Sequence, residues 1–171
     1  QRQMCIRDRF QRDSAVEKGL EKESRSAYLQ SSYIDKWAGF PLYQNTQTKY
    51  YSCGEEMFPD MLEALRGAKH FIFLEYFIIE EGYMFNTILD ILEEKAKAGV
   101  DVRFIYDDVG SINSISFGYY KKLQERGIPC VTFNPFKPLI SVVMNNRDHR
   151  KIFVVDGYIG FTGGINLADE Y

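Results

Sequence analysis

Several of the usual guides to fold and chemistry are scarce in this sequence. Its three cysteines, Cys5, Cys53 and Cys130, are odd in number and far apart, which suits neither a disulfide framework nor a zinc site. Only two histidines are present, His70 and His149, so any imidazole chemistry rests on one of them. Trp37 is the sole tryptophan and is assigned to packing. No apolar run reaches the roughly 18 residues of a membrane-spanning helix, and no leader pattern opens the chain. Neither sign of charge dominates: 21 Lys and Arg stand against 24 Asp and Glu, a net charge of -3. That mild acidity argues against a nucleic-acid partner held by a broad basic surface. An initiating Met is missing at position 1. The chain also stops at Tyr171, just where a helix from Leu167 is expected, and five residues do not sustain one. The expectation is a fragment.

What is present is apolar and aromatic. Of 171 residues, 45% are hydrophobic, with 13 Phe and 12 Tyr, enough for one domain with a real core. Residues 1–9 differ in character from the rest, resemble translated adapter sequence and are set aside as a sequencing artefact. Residues 10–49 read as a linker or N-terminal helical segment. Its first part is charged, and Tyr33, Ile34, Trp37, Phe40, Leu42 and Tyr43 supply a small satellite cluster. Residues 50–171 read as the main domain.

Within that domain, Met57, Phe58, Met61, Leu62 and Leu65 recur at helical spacing over 54–67, with Pro59 tolerable in the first turn. Residues 70–79 are nearly all apolar and form a strand interrupted by Glu75, a carboxylate that needs a partner when buried. A contact near Lys151 or His149 is one reading of Glu75; a bond to backbone or Tyr is the other. His70 opens this strand and is read as a surface or packing residue. An amphipathic helix follows over 82–99, then a strand at 100–106, a helix at 115–126 and a strand at 128–133. This alternation implies βαβ units and an α/β fold built on a parallel sheet with helices on both faces. Asp107 and Asp108 end the second strand, where ligands of such sheets gather, but they lack further metal ligands in sequence and are read as turning the loop. Ser111 and Asn113 are candidates to line a pocket. Residues 134–146 hold two prolines in an apolar stretch. They read either as a strand or buried loop, or as an apolar lip flanked by Lys137, Arg147, Arg150 and Lys151 that meets an anionic lipid surface.

The chemistry concentrates at 148–166. Ile152 to Val155 is β-branched and aromatic and predicts a buried strand. Asp156-Gly157 predicts a tight hairpin turn, with a return strand over 158–161. His149 and Lys151 are two apart on an extended segment, so they share a face. Gly163 and Gly164 bend the chain, and Asn166 is placed to cap a following helix and to come back beside them. A nucleophile, a cation and an amide donor on one rim suit phosphoryl transfer: imidazole attacks phosphorus while Lys and Asn donate to the equatorial oxygens.

These residues resemble the His-x-Lys-x4-Asp signature and trailing Gly-Gly-x-Asn of the phospholipase D superfamily. The run from Asp148-His149-Arg150-Lys151 to Asn166 is closer still to that of bacterial cardiolipin synthases, although Asp148 stands where Asn is common. The likeness begins near Tyr50. It implies the first half of a two-repeat phospholipase D-like fold, truncated at its C-terminal end. It also implies transfer of a phosphatidyl group between two phosphatidylglycerol molecules through a phosphatidyl-histidine, releasing glycerol. His149, Lys151 and Asp156 would be the catalytic set, with Lys151 and Asn166 binding phosphate. Asp156 is expected to fix the hairpin or hold a catalytic side chain rather than move protons. No metal or other cofactor is implied. The implied partners are phosphatidylglycerol, an anionic membrane surface and a missing C-terminal half carrying the second motif, at a bacterial cell membrane with the anchor outside this chain; nucleic acid is not among them. The alternatives are a phosphodiesterase or nuclease completed by homodimerisation, or a catalytically silent lipid-binding piece.

Overall fold

The computed structural model describes residues 14–43, 45–136 and 145–171. It divides into two compact units, residues 1–50 and 51–171. The first holds α1 (Ser14–Glu23) and α2 (Arg25–Ala38). The Ser24 hydroxyl caps α2 by accepting from the Ala27 N–H, and Gly39 closes it at φ 73°. Neither helix buries a residue, so the aromatic content of this segment builds no core of its own. Tyr33 and Trp37 pair at 6.4 Å between ring centroids.

The second unit runs α3 (Gly54–Gly67), β1 (Phe71–Tyr76), α4 (Tyr83–Lys97), β2 (Asp101–Asp107), α5 (Tyr119–Glu125), β3 (Cys130–Phe133), β4 (Lys151–Val155) and β5 (Ile159–Thr162). The strands form one sheet in the order β3-β2-β1-β4-β5. β1, β2 and β3 are parallel, as the βαβ pattern requires, while β4 and β5 are an antiparallel hairpin laid against β1. Asp156 and Gly157 both have positive φ, 53° and 79°, which is the backbone a two-residue primed turn demands.

One proline position and two boundaries differ from the sequence expectation, each for a physical reason. Pro59 lies in the second turn of α3, where it removes the N–H that would bond the Glu55 carbonyl. α5 begins only at Tyr119, because Gly118 enters it at φ 74° and residues 110–115 are taken by turns closed on Asp107, Val109 and Ser111. β1 ends at Tyr76, because the next backbone donors are claimed elsewhere: the Ile78 N–H by Asn166 and the Ile79 N–H by Ser111.

Cover of the sheet is uneven. On one face Ile72, Leu74 and Tyr76 align with Val102, Phe104 and Tyr106 and with Phe153 and Val155, all buried. Met61 and Leu65 of α3, Phe85, Ile88 and Leu92 of α4, and Leu123 of α5 join them in one cluster. Each fully buried large side chain there contributes about 1.5–3 kcal/mol. On the opposite face Phe71, Phe73, Glu75, Ile105, Ile152 and Val154 are only partly covered. The parallel strands end at Tyr76 and Asp107 beside the start of β4, and that corner holds the candidate site.

Candidate active site

Lys151 opens β4 and pairs in register with Tyr76. It is 5% exposed, and its Nζ donates to the His149 carbonyl at 3.0 Å. The same Nζ lies 5.1 Å from the ring centre of Phe77. His149, one pleat before the strand, packs its imidazole on that ring at 4.6 Å between centroids and an interplanar angle of 57°. The two motif residues therefore meet over one aromatic side chain, as their spacing on an extended segment requires. Burial holds the Lys151 ammonium below its ordinary pKa, with Asp148 pulling the other way.

Asn166 is 3% exposed and sits beside the same stretch. Its Oδ1 accepts from the Ile78 N–H at 3.0 Å, and its Nδ2 donates to the Tyr171 hydroxyl at 2.8 Å. The expected helix cap is absent. Leu167 instead continues as extended chain, bridged to Ile79, with its N–H on the Ile78 carbonyl and its own carbonyl accepting from Glu80. Backbone pairing has taken the groups a helix would use.

Asp156 is not brought to this corner. It follows the far end of the five-residue strand β4, roughly 17 Å from Lys151 at the usual strand rise. Its carboxylate accepts from the backbone N–H groups of Lys69, His70 and Phe71, each at 2.8 Å. Partial burial raises its pKa, but these three donors outweigh burial and hold it below the usual range. The residue ties the hairpin to the start of β1, away from His149 and Lys151. His70 lies at this same remote end.

The base of the site is ionic. Asp107, fully buried, accepts from the Gly110 N–H at 2.8 Å, from Arg147 Nη1 at 3.2 Å and from the Asp148 N–H at 2.8 Å. It turns its own loop, as expected, and also anchors the segment that leads into His149. Arg150 bridges Glu75 at 2.8 Å and Asp148 at 2.7 Å. Glu75 thus reaches Arg150 and Asp148, neither of the partners considered from sequence. Burial, then the neighbouring Asp148, pushes the Glu75 carboxyl up to about 7 against the pull of Arg150. Asp148 moves down: burial opposes this, but hydrogen bonds from Glu75 and Arg150 prevail. Asp148 Oδ2 is buried without a hydrogen-bond partner.

Ser111 is buried, donating to the Phe77 carbonyl at 3.3 Å and accepting from the Ile79 N–H at 3.1 Å. With Asp108, Ile112, Ile115, Ser116, Phe117 and Phe136 it lines a cavity of about 60 Å³; Asn113 does not. Of the proposed apolar lip, residues 137–144 lie outside the described residues. Among the described residues no three His, Cys, Asp or Glu side chains are grouped to hold a metal ion. Phe77 and Tyr171 carried no signal in the sequence, since one belongs to an apolar run and the other ends the chain. The Asp107 anchor was signalled only by its place at the end of a parallel strand.

A family model described as the phospholipase D-like domain of cardiolipin synthase matches residues 61–171. The chain belongs to the cardiolipin synthase family. A cardiolipin synthase of Alkalihalophilus pseudofirmus is 41% identical over 156 residues, covering 91% of this chain and 31% of that protein. One from a Geobacillus species is 39% identical over 170 residues, covering 99% and 33%. An uncharacterised protein of Streptococcus mutans is 44% identical over 167 residues, covering 98% and 36%. The chain thus spans about a third of the length of the curated relatives it matches. Among solved structures, the phospholipase D family member Nuc of Salmonella typhimurium aligns with a TM-score of 0.51 at 24% identity, over 65% of this chain and 64% of that one. NucT of Helicobacter pylori aligns with a TM-score of 0.51 at 15% identity, over 68% and 70%. These likenesses show a phospholipase D-like fold. Among the described residues no helix is long and apolar enough to cross a membrane.

Proposed function

We propose that this chain carries one catalytic half-site of an enzyme that moves a phosphatidyl group from one phosphatidylglycerol to another, making cardiolipin and glycerol. The observation that carries the reading is the meeting of His149 and Lys151 over Phe77, with Asn166 bonded to the adjacent Ile78. In the first step the imidazole of His149 attacks phosphorus, the bond to the glycerol oxygen breaks, and a phosphatidyl-histidine forms. Lys151 and the Asn166 amide donate to the non-bridging oxygens, where negative charge grows. The leaving alkoxide needs a proton, which a second motif histidine supplies from a further segment. That histidine then takes the proton from the incoming primary hydroxyl of the second lipid, whose oxygen displaces His149 from phosphorus. Asp156 and the Asp107 anchor hold the scaffold and do not exchange protons.

The substrate is amphiphilic, so the reading places the working enzyme at an anionic bacterial membrane, with Lys151 and the exposed Arg150 as the cations nearest the headgroup. Lipid analysis after incubation with phosphatidylglycerol vesicles tests it. The expected result is no cardiolipin from the chain alone and synthesis once a separate chain carrying the second motif is added. His149→Ala should abolish that synthesis, and near-normal activity in this variant would rule the reading out. Activity of the chain only as a homodimer would favour a single-motif phosphodiesterase instead.

A further inference from the structure

We propose that Phe77 is a positioning residue: its ring is the platform that fixes the directions of both the His149 imidazole and the Lys151 ammonium. This deepens the phosphatidyl-transfer reading and rests on it only for what the two residues do.

Phe77 follows β1 directly, at the corner where the parallel strands end. One ring contacts both motif side chains, His149 at 4.6 Å and Lys151 Nζ at 5.1 Å. Lys151 is buried beside few formal acceptors. Its one described hydrogen bond goes to the His149 carbonyl, and among the described residues no ion pair joins it to a carboxylate. Asp148 is engaged by Arg150 and Glu75. Beside the distant pull of Asp148, the negative face of the aromatic ring attracts the ammonium directly, and it does so without occupying the hydrogens needed for phosphate. Water or a carboxylate would compete with the substrate for those hydrogens.

The ring is itself held. The Phe77 carbonyl accepts from Ser111, and the next two N–H groups are taken by Asn166 and Ser111. Gly110 lies against it so closely that an added Cβ would stand 2.4 Å from the Phe77 oxygen and 2.7 Å from Cδ2 and Cε2. No side chain fits at 110 without moving the Phe77 backbone as well as its ring. Asp107 accepts from the Gly110 N–H on one side and from the Asp148 N–H on the other, so the loop that seats Phe77 and the segment that bears His149 share an anchor.

The test uses this chain, with lysines labelled at Cε and the Lys151 signal assigned through Lys151→Arg. Phe77→Leu keeps an apolar side chain but removes the π face, and Phe77→Tyr keeps the face. The Lys151 titration midpoint should fall by about one unit in Phe77→Leu and stay near the parent value in Phe77→Tyr. Inorganic phosphate, followed through the His149 ring signals with His70 as internal reference, should bind about tenfold more weakly to Phe77→Leu. Gly110→Ala, which pushes on the Phe77 backbone and ring without changing the Phe77 side chain, should reproduce both changes. A Lys151 midpoint that rises or stays fixed in Phe77→Leu would mean the ring is only filler, and the platform would be overturned. Failure of phosphate to bind the parent chain, with the midpoint still falling, would leave the platform standing and sink the phosphate site.

Discussion

Replacing Asp107 with Ala should destabilise this chain by about 4 kcal/mol, because it breaks a buried ion pair and leaves its partner behind. The carboxylate is fully buried and accepts three hydrogen bonds, two from the backbone N–H groups of Gly110 and Asp148 and one from Arg147. The two backbone bonds contribute about 1 kcal/mol each, and the charged one about 2. The Arg147 side chain is 16% exposed and its Nε already lacks a partner, so little water arrives to compensate it. Asp107→Asn keeps an acceptor but not the charge, and should lose about 2 kcal/mol. Removing both charges, in Asp107→Ala with Arg147→Met, should recover part of the loss. Equilibrium urea unfolding followed by circular dichroism reads all three. An Asp107→Ala chain within about 1 kcal/mol of the parent would refute the anchor, since a loop-capping Asp alone has that worth.

Other perturbations probe separate parts of the structure. Glu75 titrates near 7 when folded, above its ordinary value, so it stabilises the fold at low pH and that contribution is lost as pH rises from about 4.3 through 7. Glu75→Gln should flatten this slope, read as urea midpoints between pH 4.5 and 8; an unchanged slope would contradict the raised Glu75 carboxyl. Asp156 is depressed, so its contribution is present above the ordinary carboxylate range and fades as pH falls through its lower folded value. Asp156→Asn should lower the melting temperature at neutral pH and shrink the acid-induced loss, while leaving phosphate binding at the site intact. Phe153→Ala, at a fully buried position packed on Phe161, should lose about 4 kcal/mol in the same unfolding assay.

The order of elements in the main unit was legible because its signals are local. Helical spacing of Met57 to Leu65, the strand patterns at 70–79 and 100–106, and Asp156-Gly157 each demand one conformation from a short stretch. Boundaries were missed where long-range donors and acceptors decide them. Asn166 and Ser111 end β1 from 88 and 32 residues away, and no local rule reports that. The motif placed His149, Lys151 and Asn166 near one corner because extended backbone and two glycines leave few alternatives. It grouped Asp156 with them through sequence alone, and a strand of five residues carries it to the other end. Arg150, Glu75 and Asp148 form a network because cross-strand neighbours of β1 and β4 face each other, a pairing that becomes readable only once the register is known.

The central claim is that His149 bonds to phosphorus. It is tested most directly by mixing the chain with a second-motif partner and phosphatidylglycerol, quenching under alkaline conditions that preserve phosphoramidates, and locating the adduct by peptide mass spectrometry. The account predicts a phosphatidyl group on the peptide bearing His149 when the partner's motif histidine is replaced, so that release is slow, and none in His149→Ala. An adduct found only on the partner would contradict it and make His149 the acid.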